Sequence, residues 1–330
     1  MSITRLAKDL YTFPIPLPDS PLKWLNCYVI RPEEGRCLLM DCGFRHPVCQ
    51  EALVKGMEEL ALDPKNTDVF FSHAHADHCG NAELLMDAGC RIFMSEIDIE
   101  VFFNWDLKDK RLTIIRALKE GLPPETEASP MMGWGARRLT AEPVHDGDVL
   151  VYGDYRLKCL LTPGHTPGHM CLYDEEKQVL FLGDHVLFDI SPNITFYEEM
   201  DDALGCYIES LRRVRDLPVT LALPGHRELG KISLPERVDK LLRHHQRRLQ
   251  KSVNAIEENP GITAWELAAL LNWKIRAASW EDFPTTQKWF ALGETIAHLD
   301  YLLLRGLVEV EVIDRVRHYR VTRENITIEV

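Results

Sequence analysis

Eight short apolar runs punctuate the first two thirds of this 330-residue chain: CYVI, CLLMD, DVFFS, RIFMS, LKCLLTP, CLYD, VLFLGD and VTLALPG. Most stop on Asp, Ser, Gly or Pro, and none is long enough to form a core helix. Such runs read as strands with both faces covered. Between them HPVCQEALVKGMEEL, GNAELLMDAG and ALGCYIESLRRVRDL repeat their apolar residues at helical spacing. The alternation predicts a mixed α/β body whose strand ends open onto loops that carry the polar residues.

One of those strand ends is chemically unusual. DVFFS runs directly into HAHADHCGN, which sets His73, His75, Asp77 and His78 within six positions. At the mouth of a buried strand the backbone can turn several side chains toward one point. Neutral imidazoles beside a carboxylate are ligands for zinc, and suit iron or manganese nearly as well. A merely solvated His-rich loop would have no reason to sit there.

HAHADH matches the H-x-H-x-D-H signature of the metallo-β-lactamase superfamily, and further motifs follow in that family's order. LLMDCG places Asp41 at its early aspartate, LTPGHTPGH places His165 at its third histidine, FLGDHVLF places Asp184 at its bridging carboxylate, and LALPGHRE places His226 at its last ligand. The resemblance covers roughly residues 10–234. It implies a four-layer αββα sandwich and two divalent ions, zinc first and iron or manganese as alternatives. One ion would take His73, His75 and His165, the other Asp77, His78 and His226. Asp184 and a water or hydroxide would lie between them. Asp77 and Asp184 are then the catalytic carboxylates, with Asp77 guiding the nucleophile or moving a proton, and Asp41 orients an imidazole from behind. His169, His185 and Tyr197 stand close enough in sequence to touch substrate or to back a ligand. Cys79 reads as a structural thiol, since the ligand set is complete without it.

The chain departs from some branches of the family. Asp184 stands where typical zinc β-lactamases lack a carboxylate, His75 stands where the flavodiiron branch prefers glutamate, and no long nucleolytic insert is present. The resemblance therefore points to hydrolysis of an ester or thioester, in the manner of hydroxyacylglutathione hydrolases and lactonases. Over its whole length the chain most resembles β-lactamase-like proteins ending in a winged helix, some of which are endoribonucleases.

Two segments interrupt the strand–helix rhythm. Residues 97–138 look like an insertion, helical at first and then rich in Pro, Gly and Met. Phe102, Phe103, Trp105, Met131, Met132 and Trp134 make it a candidate lid. From residue 235 the chain reads as a second module of three helices and a β-hairpin, winged-helix-like. Ser233 with Glu236 and Thr263 with Glu266 form capping boxes at the first two helices. The expected division is thus 1–234 for the catalytic body and 235–330 for the terminal module.

Charge is distributed unevenly. From Pro235 to Val330 there are 14 Lys+Arg against 14 Asp+Glu, so the net −13 resides wholly in the body. An acidic body is a poor footprint for nucleic acid, whose phosphates supply most of its affinity for proteins. A small or acyl-bearing substrate is the expected partner, with single-stranded RNA as the alternative. A non-enzymatic, metal-stabilised regulator that binds nucleic acid is the third reading. The basic run RHHQRRLQK, residues 243–251, is read as a solvated helix face, or else as a phosphate contact. The terminal module is equally compatible with packing and with a homodimer. No apolar stretch has the length of a membrane span, the N-terminal segment lacks a signal-peptide core, and nine cysteines lack paired spacing, so a cytoplasmic address is expected.

Overall fold

The computed structural model describes residues 3–103, 107–124, 126, 135–273 and 277–330. Of the candidate lid residues, Trp105, Met131, Met132 and Trp134 lie outside the described residues. The insertion begins with two helices, α4 (Glu96–Phe103) and α5 (Leu107–Lys119).

Seven strands form the first sheet in sequence order: β1 (Thr4–Ala7), β2 (Leu10–Pro16), β3 (Trp24–Ile30), β4 (Cys37–Met40), β5 (Thr67–Phe70), β6 (Arg91–Ser95) and β7 (Glu142–Val144). β1 to β4 pair antiparallel, and β4 to β7 parallel. Five strands form the second sheet: β8 (Val149–Tyr152), β9 (Tyr155–Leu161), β10 (Met170–Asp174), β11 (Val179–Gly183) and β12 (Leu221–Pro224), ordered β12-β11-β10-β9-β8. Only β11 and β12 run parallel there.

Alternation along single strands builds the layers, because successive side chains point to opposite faces. On β3, Tyr28 and Ile30 enter the core between the sheets, whereas Leu25, Cys27 and Val29 face outward onto α1 (Pro47–Glu59) and the helices after β5. On β11, Val179 and Phe181 enter the same inter-sheet core, while Leu180 and Leu182 face α6 (Ala203–Arg215). Helix, sheet, sheet and helix are therefore stacked, as expected. The close approach of α1 to β2 depends on Gly56, where a Cβ would stand 2.4 Å from the Phe13 ring.

Beyond the second sheet come α7 (Leu234–Glu258), α8 (Ala264–Leu270), α9 (Thr285–Leu304) and the antiparallel hairpin β13 (Val308–Ile313) and β14 (Val316–Val321). Thr263 and Glu266 form the expected capping box at α8, whereas at α7 only the Ser233 half is present, its side chain accepting from Glu236 N while the Glu236 carboxylate accepts from Lys240. The terminal elements do not close a core of their own. One continuous cluster runs from Cys171 and Leu180 through Leu204 and Leu211 to Leu241, Ile296 and Tyr319. The basic run on α7 is only partly a solvated face. Arg243, Arg247 and Lys251 are exposed, but His245 is buried and Arg248 pairs inward with Glu294 at 3.1 Å. Among the described residues no helix is long and apolar enough to cross a membrane.

Candidate metal centre

The seven side chains singled out in the sequence converge at one end of the sandwich, where the two sheets meet. Leu25 of β3 and His226, just past β12, form a bridge across that edge. Helix α2 (Ala76–Cys79) starts three residues after His73 and turns Asp77 and His78 back over β5.

Three nitrogens form one pocket. His75 Nδ1 stands 3.1 Å from His73 Nε2 and 2.9 Å from His165 Nε2. Across from them, His78 Nε2 and His226 Nε2 are 3.0 Å apart, and Asp77 Oδ2 lies 3.2 Å from the latter. Asp184 sits between the two groups, with Oδ1 3.3 Å from His226 Nε2 and 3.5 Å from His78 Nε2, and Oδ2 3.7 Å from His165 Nε2.

Outer hydrogen bonds fix how the rings present their lone pairs. His165 Nδ1 donates to Asn193 O at 2.7 Å, His226 Nδ1 donates to Trp24 O at 3.0 Å, and His78 Nδ1 donates to Asp41 Oδ2 at 2.8 Å. An oxygen accepts in each case, so each ring carries a hydrogen on its outer nitrogen and turns its other nitrogen inward. Behind His73 Nδ1 and His75 Nε2 stand Ser72 Oγ at 3.0 Å and Tyr197 OH at 3.2 Å. Inward lone pairs this close repel unless something positive lies among them. Four ligands about 2.0–2.1 Å from a tetrahedral zinc stand about 3.3 Å apart, near the spacings found in both pockets. Asp184 Oδ1, buried and without a hydrogen-bond donor among the described residues, has the same requirement. The donor set fits a pair of divalent ions.

Electrostatics divides the site. Burial, reinforced by mutual repulsion, pushes His73 well below the usual imidazole range and His75 down to about 3, so this pocket is neutral. On the other side burial works against protonation, yet Asp184 and Asp77 outweigh it and raise His226 to about 9. Burial likewise opposes ionisation of Asp77, but His78 and His226 bring it down to about 2.

Asp41 accepts from Ser72 N and Ser72 Oγ at 2.9 Å as well as from His78. His169 lies behind the site: its Nδ1 meets Thr162 Oγ1 at 2.8 Å and its Nε2 accepts from the Asp184 backbone N–H at 3.1 Å. Tyr197 donates to His165 O at 2.8 Å, so it backs two ligands. His185 is fully buried and packs edge-on against Tyr207 at 5.4 Å. Cys79 donates to the carbonyls of Ala74 and His75, a structural use. Phe102 stands 6.2 Å from His75 and 6.0 Å from Tyr197, an aromatic edge beside the three-histidine pocket.

Sequence reasoning missed Asp98, on α4. Fully buried, it accepts from Ala74 N at 2.9 Å, Thr166 Oγ1 at 2.8 Å and Gly168 N at 2.6 Å, tying the His73–His78 loop to the His165 loop. Ser72 and Asn193 were missed as well. Only Ser72 had a signal, its place between a buried strand and His73.

Residues 25–226 match the family model of the metallo-beta-lactamase superfamily, and the chain belongs to that superfamily. It is similar over nearly its whole length to the metallo-beta-lactamase family protein TTHA1429 of Thermus thermophilus, with a TM-score of 0.83, 28% identity, and coverage of 96% of this chain and 100% of that one. The Lactamase-like protein adaB of Aspergillus niger is 26% identical over 238 residues, 72% of this chain, and the match spans 60% of that relative. The Acyl-coenzyme A thioesterase MBLAC2 of Bos taurus is 34% identical over 112 residues, 31% of this chain and 39% of that one.

Proposed function

We propose that the chain is a dinuclear metal-dependent hydrolase, zinc-loaded, that cleaves an ester or thioester. The observation that carries this reading is the position of Asp184, whose two oxygens face two separate nitrogen pockets, so that one carboxylate serves both. A bound pair of divalent ions supplies Lewis acidity, lowering the pKa of water and polarising a carbonyl oxygen. The chain itself supplies orientation and charge. Asp41, Asn193 O and Trp24 O hold the outer nitrogens of three rings and leave the inward ones to the metal ions. Asp77, ionised at neutral pH, offers an oxygen that can orient a water and receive its proton. Burial of these groups strengthens every electrostatic interaction among them.

Phe102 and Tyr197 give the three-histidine pocket an apolar flank, which suits an acyl group. The acidic body disfavours a polyanion, and the likeness to a protein named as an acyl-coenzyme A thioesterase favours a thioester. One observation favours single-stranded RNA instead: Arg243, Arg247 and Lys251 remain exposed along α7.

Metal analysis of the purified protein, joined to a panel of acyl-thioesters, lactones and short RNAs, tests the reading. The expected result is about two zinc ions per chain, thioester turnover, and a loss of about 100-fold or more in affinity for both zinc ions in Asp184→Asn. Two bound metals with cleavage of RNA alone would overturn the substrate assignment. Asp184→Asn with both metals held as in the wild type would overturn the bridge.

A further inference from the structure

We infer that the C-terminal helices are part of the metal-binding machinery: Glu294 of α9, through Asn193, sets the orientation of His165. The inference rests on the metal reading above.

The connection can be followed atom by atom. His165 Nδ1 donates to Asn193 O at 2.7 Å. The Asn193 side chain donates to Glu294 Oε2 at 3.1 Å and to Phe290 O at 3.3 Å, both on α9. Glu294 is 7% exposed and pairs with Arg248 of α7 at 3.1 Å, whose guanidinium in turn lies 4.1 Å over the Trp273 ring. The carbonyl that fixes the His165 tautomer therefore belongs to a residue whose side chain is bonded to α9 at two points.

The whole segment from Leu187 to Tyr197 is held from the same side. Arg237 of α7 donates to the carbonyls of Leu187 and Ile190 at 2.5 and 2.6 Å. At Gly293 of α9 a Cβ would come within 2.2 Å of Thr195 Oγ1, so helix and segment touch with no room for a side chain. Tyr197, at the far end, donates to His165 O and meets His75 Nε2. Two of the three nitrogens of one pocket are thus backed by a segment that four residues on α7 and α9 press into place. Partners of this kind, which hold the far side of a metal-ligating imidazole, typically govern affinity by about 10- to 100-fold. Among the described residues no comparable link reaches the other pocket: His78 and His226 are backed by Asp41 and Trp24 of the first sheet.

The test uses the full chain with Zn2+ alone as probe. Each of two zinc affinities is measured by competition with a chromophoric chelator, and the metal-free melting temperature is recorded beside them. Asn193→Ala should weaken one zinc equivalent about 10- to 100-fold and leave the other unchanged, with the metal-free melting temperature near that of the wild type. Glu294→Ala should weaken the same equivalent, and Glu294→Gln, which keeps an oxygen for Asn193 Nδ2, should recover most of it. If Glu294→Ala fails to fold because Arg248 is left unpaired, Asn193→Ala decides alone. Two wild-type affinities in Asn193→Ala would overturn the inference while sparing the metal reading. Equal weakening of both equivalents with a lowered metal-free melting temperature would also overturn it, assigning the bonds to general stability. A wild-type chain that binds no zinc overturns both.

Discussion

Asp98 offers the sharpest measure of how the site is held together. It contributes no inward atom, yet three donors from two ligand-bearing loops end on its carboxylate: Ala74 N–H, Gly168 N–H and the Thr166 hydroxyl. Asp98→Ala leaves all three without an acceptor in a region closed to solvent. Each stranded buried donor costs about 1–3 kcal/mol, so the sum is about 3–9 kcal/mol, with water in the vacated space bringing it toward the lower figure. That is a large part of the roughly 5–15 kcal/mol by which domains are stable.

The carboxyl also gives the loss a signature in pH. Burial raises its pKa to about 6, above the ordinary carboxyl value of 3.8, even though all three hydrogen bonds pull the other way. The folded state thus keeps the proton where the unfolded state has released it. Stability from this group is full below about 3.8 and declines as pH rises to about 6, by about 3 kcal/mol in all. Urea unfolding of metal-free wild type and Asp98→Ala at pH 4 and pH 7 reads both effects. The variant should be less stable at both, with the larger deficit at pH 4, and its zinc affinity should fall about 10-fold or more. Equal denaturant midpoints, or a deficit that grows from pH 4 to pH 7, would refute the reasoning.

Asp68, buried at the opposite end of β5, should govern acid stability. Burial favours its neutral form, but Arg91, Arg36 and Tyr152 outweigh burial and hold its pKa down. Its contribution is therefore present above the unfolded carboxyl range and lost as pH falls below it; Asp68→Asn should cost about 2 kcal/mol at pH 7 and flatten the acid limb of a melting-temperature profile. Gly225→Ala would place a Cβ 2.6 Å from Asp184 Oδ1 and 3.0 Å from His78 Cε1, and chelator competition should show zinc affinity reduced about 10-fold. Tyr319→Phe removes a 2.6 Å bond to the fully buried Glu120, which also pairs with Arg116 and Arg317; urea denaturation should register a loss of about 1.5–3 kcal/mol.

How much of the fold and site is legible in the sequence follows from how local each signal is. The strand at Thr67–Phe70 and the cluster behind it are read from one short stretch, since period and residue type appear together. His165, Asp184 and His226 lie far apart, and only the order of family motifs joins them. The basic run on α7 departs from a solvated face because Leu241, His245, Leu249 and Ser252 form the buried stripe at four- and three-residue spacing, so a histidine that reads as one of a charged group is a core residue. Asp98 and Asn193 carry no signal of any kind. Each acts by accepting or making bonds across 24 to 101 residues of sequence, and a single Asp or Asn in a helix or loop looks like any other.

The topology explains why the inward atoms are easier to find than their supports. β4, β5 and β6 run parallel, and β9 and β11 run alike on either side of the antiparallel β10, with β12 parallel to β11. Asp41 follows β4, His73 to His78 follow β5, Asp98 follows β6, His165 follows β9, Asp184 follows β11 and His226 follows β12. All of them stand past carboxyl ends of strands, where open α/β sheets generally place their ligands. A residue one or two positions beyond an apolar run can therefore be assigned to that edge from sequence. The two backbone supports, Trp24 and Asn193, obey no such rule. Trp24 reaches the edge because its strand starts there, running against β4, and Asn193 because α9 holds a loop in place. Their contribution is a backbone carbonyl, which every residue type offers equally, so nothing in the identity of the residue marks it.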